Sequence, residues 1–171
     1  KMLDALAANP PQFQTNLDIA SVGVPIGMPP AQMRPFKASF RVSPMFAKLA
    51  GILPEGWIQG IRVGDIMFVG LPYDTSGEIA RQWREEMAPK GWDLWVHGFS
   101  SAYCGYLSPD RYYYETEKGG ELGYEIGFMN WFGPNAEAYM RTLRDEIINK
   151  MGASPLRAQN GAPAPAPAAA S

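Results

Sequence analysis

Asp74 is the residue whose setting says most about possible chemistry. It follows an apolar run that ends Leu71-Pro72-Tyr73, and it precedes Thr75-Ser76-Gly77-Glu78, where Thr75 and Glu78 have the spacing of a capping box. Carboxyl ends of strands are where α/β sheets gather ligands. A carboxylate there can bind a metal or accept the free N–H groups of the helix that follows, and on local grounds the helix-start role is the simpler of the two. Tyr103 and Tyr106, in the segment SAYCGY, also come just after a predicted strand. A loop tyrosine more often packs its ring and hydrogen-bonds its hydroxyl than acts as a ligand or an acid. His97 lies within an apolar run and reads as a satisfied core histidine. Cys104 has no cationic neighbour in the sequence and reads as a small buried side chain rather than a nucleophile. The chain contains no phosphate-binding glycine loop, no G-x-S-x-G and no C-x-x-C.

Strands and helices must place these groups. WIQGIRV (57–63) and IMFVGL (66–71) flank Gly64-Asp65, which reads as a β-hairpin with glycine first in the turn. A helix over 76–88 follows, with Ile79, Trp83 and Met87 on one stripe, and then a strand over 92–99. Strand, helix, strand in this order predicts a partly parallel sheet. Further strands are expected at 21–26 and, from the alternation of Phe36, Ala38, Phe40 and Val42, at 36–42. A short helix should begin at Pro44 and end at Gly51. Residues 100–134 are rich in tyrosine and glycine and read as a long aromatic-lined loop, which in a folded domain usually carries function. A last helix, about 135–151, is expected to have Asn135 as N-cap and Tyr139, Leu143, Ile147 and Met151 as its buried stripe. Residues 3–9 read as the last turns of a helix, which predicts that sequence precedes Lys1.

Composition narrows the function classes. The chain has 171 residues with 15 basic and 17 acidic side chains, so it has no basic excess with which to bind nucleic acid. Its one cysteine rules out an internal disulfide, and its one histidine rules out a zinc site of several imidazoles from this chain alone. No apolar run is long enough to span a bilayer. Residues 153–171 form an Ala/Pro-rich tail that cannot build a core. The tail after Gly161 is expected to lie extended along a neighbouring surface.

Three segments, IQGIRVGDIMFVGLPYD, FSSAYCGYLSPDRYYYE and YEIGFMNWFGPNAEAYM, together with the upstream VPIGMPPAQMR, resemble the neutral, non-lysosomal ceramidases, and among them the bacterial ceramidase-like branch. The resemblance spans roughly residues 22–150 and corresponds to the C-terminal part of that family's catalytic domain. It implies zinc-dependent hydrolysis of the amide of an N-acyl sphingoid lipid, and a periplasmic, secreted or membrane-surface location. The family places a Glu of a Pro-Gly-Glu segment and the second Tyr of a Tyr-x-x-Tyr segment at the zinc. Here Pro72-Tyr73-Asp74 and Tyr103-Cys104-Gly105-Tyr106 stand at those places, so the resemblance implies Asp74 and Tyr106 as metal-site residues, with Tyr106 also catalytic. The family's zinc histidines lie upstream of this chain. On pattern, Tyr103, Trp131 and Phe132 are expected to line the substrate pocket.

The expectation is therefore an α/β fold with a mixed central sheet flanked by helices, incomplete without an upstream segment or a partner chain. Residues 1–152 would be the C-terminal portion of a ceramidase-like catalytic domain, with an obligate apolar interface to another polypeptide. The alternative is a non-catalytic structural subunit of a larger assembly that kept the fold.

Overall fold

The Gly64-Asp65 turn sets the sheet. Gly64 takes a φ of 63°, which glycine adopts without strain, and joins β2 (Trp57–Val63) to β3 (Ile66–Gly70) as an antiparallel hairpin. The computed structural model describes residues 7–8, 10, 17–37, 39–53, 55–116 and 122–152. β1 (Ile19–Pro25) adds antiparallel to β2, and β5 (Asp93–His97) adds parallel to β3, giving the order β1-β2-β3-β5. The crossover between β3 and β5 is helix α2 (Gly77–Met87), so the mixed sheet flanked by helices is present as expected. A second, two-stranded parallel sheet pairs β4 (Asp74–Thr75) with β6 (Tyr106–Leu107). The remaining elements are α1 (Pro44–Leu49), α3 (Arg111–Thr116), a π-helical turn at Glu125–Met129 and α4 (Ala136–Lys150).

The inner face of the four-stranded sheet is closed by α2 and α4. Ile58, Met67, Val69 and Leu94 meet Ile79, Trp83 and Met87 of α2 and Met140, Leu143 and Ile147 of α4 in one core. Gly60 lets α4 sit close on β2, since a side chain there would run into Ile147 and Met151. Arg144 is buried in this core. It lies 4.8 Å over the Trp83 ring and donates to Glu86 at 2.8 Å and to Asp145 at 2.8 Å, so its charge is paired.

The outer face has no such cover among the described residues. Ile19, Trp57, Ile61 and Trp95 project from it at 72%, 49%, 47% and 45% exposure, and the register aligns Ile61, Phe68 and Trp95 in one row across three strands. At the β5 edge, Arg84 of α2 reaches round to donate to the Leu94 carbonyl at 3.2 Å and lies 4.7 Å over the Trp95 ring.

Four expectations are corrected. Residues 36–37 and 39–42 form bends, a turn and irregular chain rather than a strand: Phe36 takes a φ of 77°, Phe40 N–H closes back on the Lys37 carbonyl, and among the described residues no strand lies alongside to pair with them. Phe36 instead packs edge-on against Phe128 at 5.5 Å, with Phe40 edge-on to Phe36 at 6.4 Å. The cap of α2 is Ser76, whose hydroxyl accepts Glu78 N–H at 3.3 Å, because Thr75 belongs to β4. Asn135 sits at the start of α4 in the left-handed region and its side chain caps nothing; the Asp110 carboxylate reaches across instead and accepts Glu137 N–H and Ala138 N–H at 3.3 and 3.1 Å. Tyr139 is at the rim of its helix rather than buried, with its hydroxyl donating to Ile26 C=O at 2.7 Å. Residues 3–6 and 9 of the expected first helix, and the tail over 153–171, lie outside the described residues.

Candidate functional site

A strap of backbone, residues 71–76, carries Asp74 between two neighbours. On one side Leu71 N–H donates to His97, and Phe99 and Ser100 N–H donate back to Tyr73 and Leu71 at 2.9 Å each. On the other side Cys104 N–H donates to Pro72 C=O, Asp74 N–H to Gly105 C=O and Ser76 N–H to Leu107 C=O, the last two at 3.0 Å. This parallel pairing places Asp74 directly opposite Tyr106 in register, so the two side chains leave the same face of the small sheet. Both are half-buried, and no hydrogen bond or ion pair from a described residue engages either the Asp74 carboxylate or the Tyr106 hydroxyl.

Gly105 makes this geometry possible. It takes a φ of 80°, and a side chain there would strike the Met129 carbonyl and the Trp131 ring. The Trp131 side chain therefore lies against the loop that leads into β6. Tyr103 stacks on Phe99 with centroids 5.5 Å apart and planes 9° apart, and meets Trp131 edge-on at 5.2 Å. The π-helical turn packs on β6 and brings Tyr124 and Glu125 to the same region.

The phenols respond to this crowding. Burial holds the Tyr106 hydroxyl above its ordinary pKa, with further upward pushes from Asp74, Tyr124 and Glu125. Burial likewise raises Tyr103, helped by Tyr106, Asp74 and Tyr124. Both hydroxyls are therefore protonated donors at neutral pH, set beside an unpaired carboxylate. Tyr73 and Cys104 face the other way, into the core. Burial raises the Tyr73 phenol far above its usual value and pushes the Cys104 thiol up to about 11, while its sulfur contacts the Glu55 carbonyl at 3.3 Å. Cys104 is buried and uncharged, as the sequence reading had it.

The structure thus brings together Asp74, Tyr106, Tyr103 and Trp131. Phe132 goes elsewhere: it is buried edge-on to Tyr73 and lines a separate cleft of about 320 Å³ with Met28, Gln32, Pro134 and Tyr139. His97 is corrected from core to surface. It takes the outward position at the end of edge strand β5, beside the Phe68 ring, because Leu94 and Val96 occupy the inward positions. Sequence reasoning missed Phe99, Tyr124 and Glu125. Phe99 could have been found as the residue after the strand that ends beside Asp74. Nothing in the sequence marks Glu125, since only the π-helical turn directs it to Tyr106.

Zinc is bound by carboxylate oxygen, imidazole nitrogen or thiolate, usually with three protein ligands at a catalytic site. Asp74 beside an unengaged phenol fits part of such a donor set. Among the described residues no group of three or more His, Cys, Asp and Glu is placed to complete it. Nor, among them, is any helix long and apolar enough to cross a membrane.

No protein-family model matches the chain, and no curated protein matches it. Two solved structures are similar to it. One is the neutral ceramidase from Pseudomonas aeruginosa, with 16% identity and a TM-score of 0.48 over 90% of this chain and 30% of that one. The other is a ceramidase complexed with C2, with 21% identity and a TM-score of 0.40 over 67% of this chain and 16% of that one. The chain spans under a third of the length of either.

Proposed function

We propose that this chain is the C-terminal part of the catalytic unit of a zinc-dependent amidohydrolase acting on N-acyl amides of sphingoid-type lipids. The observation that carries the reading is the register pairing of Asp74 with Tyr106, two residues 32 positions apart that the sequence resemblance assigns to one metal site and that stand side by side on β4 and β6. Asp74 and Tyr106 would hold the zinc, together with ligands from another polypeptide segment. A zinc ion so held would lower the pKa of bound water and polarise an amide carbonyl. Tyr106, protonated at neutral pH, supplies an O–H in reach of an oxygen that gains negative charge. Tyr103, Trp131 and Phe99 give one wall an aromatic surface.

The outer face of the large sheet, uncovered among the described residues, supports the other half of the proposal, an obligate interface. β3 and β5 are parallel, and parallel pairs are normally covered on both faces. The row Ile61, Phe68, Trp95 fits a second apolar sheet laid face to face on it. The covering layer is the polypeptide that brings the remaining zinc ligands, and the assembled protein works in the periplasm, outside the cell or at a membrane surface.

Metal analysis of the assembled protein tests the reading. Stoichiometric zinc is expected, with affinity for it falling at least about tenfold in Asp74→Asn and amide hydrolysis lost in parallel. A folded, assembled protein without zinc would instead support a structural subunit that kept the fold without the chemistry.

A further inference from the structure

The stretch from Ile19 to Pro54 differs in charge from the rest of the chain. It holds Arg34, Lys37, Arg41 and Lys48 and no Asp or Glu, although the whole chain has a net charge of −2. Lys37, Arg41 and Lys48 are exposed. Among the described residues no carboxylate pairs with any of these three, and Arg41 makes a long 3.5 Å contact to the neutral Gln32 side chain. Asp18 and Glu55 close the stretch at its two ends, and Glu125 stands on the π-helical turn that carries Phe128. The same stretch turns large apolar side chains outward. In α1, Ala47 is buried in the core and Ile52 N–H closes on its carbonyl at 3.0 Å, which anchors the helix by one side. The helical repeat sets Met45, Phe46 and Leu49 on an arc of about 100° on the other side, with Lys48 at its edge. These three are 80%, 62% and 86% exposed. Phe36 and Phe40, just before the helix, are exposed too. A surface helix normally turns its apolar arc inward, and α1 does the reverse.

We infer that α1, together with Phe36 and Phe40, is a docking surface for an anionic lipid bilayer. Met45, Phe46 and Leu49 enter the boundary between headgroups and acyl chains, and Lys37, Arg41 and Lys48 stay at the level of the lipid phosphates. Charge complementarity selects this partner. The outer face of the large sheet sets Asp93 and His97 among its apolar side chains, a mixture that suits a protein layer. The stretch around α1 offers cations alone, which suits a surface of uniform negative charge. The inference extends the proposed function by naming the element that meets the bilayer. It rests on these residues and not on Asp74 or Tyr106, so it stands or falls apart from the zinc reading.

Co-sedimentation of the full protein that carries this chain with vesicles tests the inference, using phosphatidylcholine alone and phosphatidylcholine mixed with phosphatidylglycerol. At low salt the mixed vesicles are expected to bind at least about tenfold tighter, from about fivefold per basic residue at the surface, and the difference should shrink as salt rises. Lys37→Gln, Arg41→Gln and Lys48→Gln combined should remove the preference for anionic lipid. Phe46→Gln with Leu49→Gln should weaken binding to both kinds of vesicle by at least about tenfold. Circular dichroism of each variant reports that the fold is intact. A polarity-sensitive dye attached at Leu49→Cys reads the surroundings of α1 directly, and within this chain it does not reach the fully buried Cys104. It should report water before vesicles are added and an apolar setting afterwards. An apolar setting without vesicles means that a polypeptide already covers α1 and overturns the inference. Failure to bind the mixed vesicles also overturns it, as does binding that survives both sets of substitutions. Zinc content of the same preparations tests the hydrolase reading separately. Vesicle binding without zinc supports this inference and counts against that reading, and zinc without vesicle binding does the reverse.

Discussion

The two faces of the four-stranded sheet are built from similar residues and have different fates. On the inner face Ile58, Met67, Val69 and Leu94 are closed under α2 and α4. On the outer face Ile61, Phe68, Trp57 and Trp95 are equally apolar and lie partly or largely in solvent. Alternation along β2 and β5 assigns residues to one face or the other but does not say that the second face is wet. A half-solvated sheet normally shows mainly polar side chains outward, and this one sets Ile19, Trp57, Ile61, Phe68 and Trp95 among Ser21, Gln59, Asp93 and His97. The difference teaches that an apolar strand pattern can be complete at the level of the strand and unfinished at the level of the layer.

Substitutions can break or sharpen this contrast. The largest effect belongs inside: Trp83→Ala removes the ring on which Arg144 lies and opens the core, and should cost about 3–5 kcal/mol of folding free energy by denaturant titration. An alkaline titration comes next, because the inner region holds the raised acids. At pH 7 and below the Cys104 thiol and the Tyr73 phenol are neutral in both folded and unfolded chains, so they leave stability unchanged. As pH rises past 9 and then 10 the unfolded chain releases protons that the folded one keeps, so stability should fall progressively, with the thiol's contribution levelling off near its folded pKa of about 11. Thermal melts between pH 8 and 11 read this loss, and Cys104→Ala should remove its earlier part. The smallest effect on the core belongs outside. Ile61→Lys leaves the closed inner face untouched, so helix and strand content by circular dichroism should be retained in the assembled protein. The same change should release the covering layer, seen as loss of the complex on size exclusion. A complex that survives Ile61→Lys would mean that no apolar layer is laid on this face.

Much of this architecture was legible in the sequence because local rules and tertiary context agree there. The Gly64-Asp65 hairpin, the Ile79-Trp83-Met87 stripe and the parallel crossover all follow from spacing. The failures share one cause, which is that the deciding partner is remote. Residues 36–42 alternate, but a strand needs a neighbour, and none lies beside them among the described residues. The start of α4 looks self-capped by Asn135, yet Asp110 supplies the cap from 27 residues away. Of the site, Asp74 and Tyr106 could be marked in advance through family resemblance. Glu125 and Tyr124 could not, because a π-helical turn has no readable period and directs them only after the loop has closed.

The doubly bonded strap at 71–76 has a consequence for the order in which the molecule assembles and comes apart. Its first bonds, to 97–100, can form once the β3–α2–β5 crossover has closed. Its second set, to 104–107, has as many bonds as the first and depends on Gly105 being seated under Met129 and Trp131. Formation of β4–β6 is thus expected to follow closure of the crossover. Tyr73, Cys104 and Leu107 are fully buried in the core shared with the large sheet, so the small sheet should open together with that core rather than by itself. Amide hydrogen exchange would register this as protection at Asp74 and Ser76 comparable to that at Met67 and Val69. The residues assigned to chemistry would then be held in place by the stability of the whole fold.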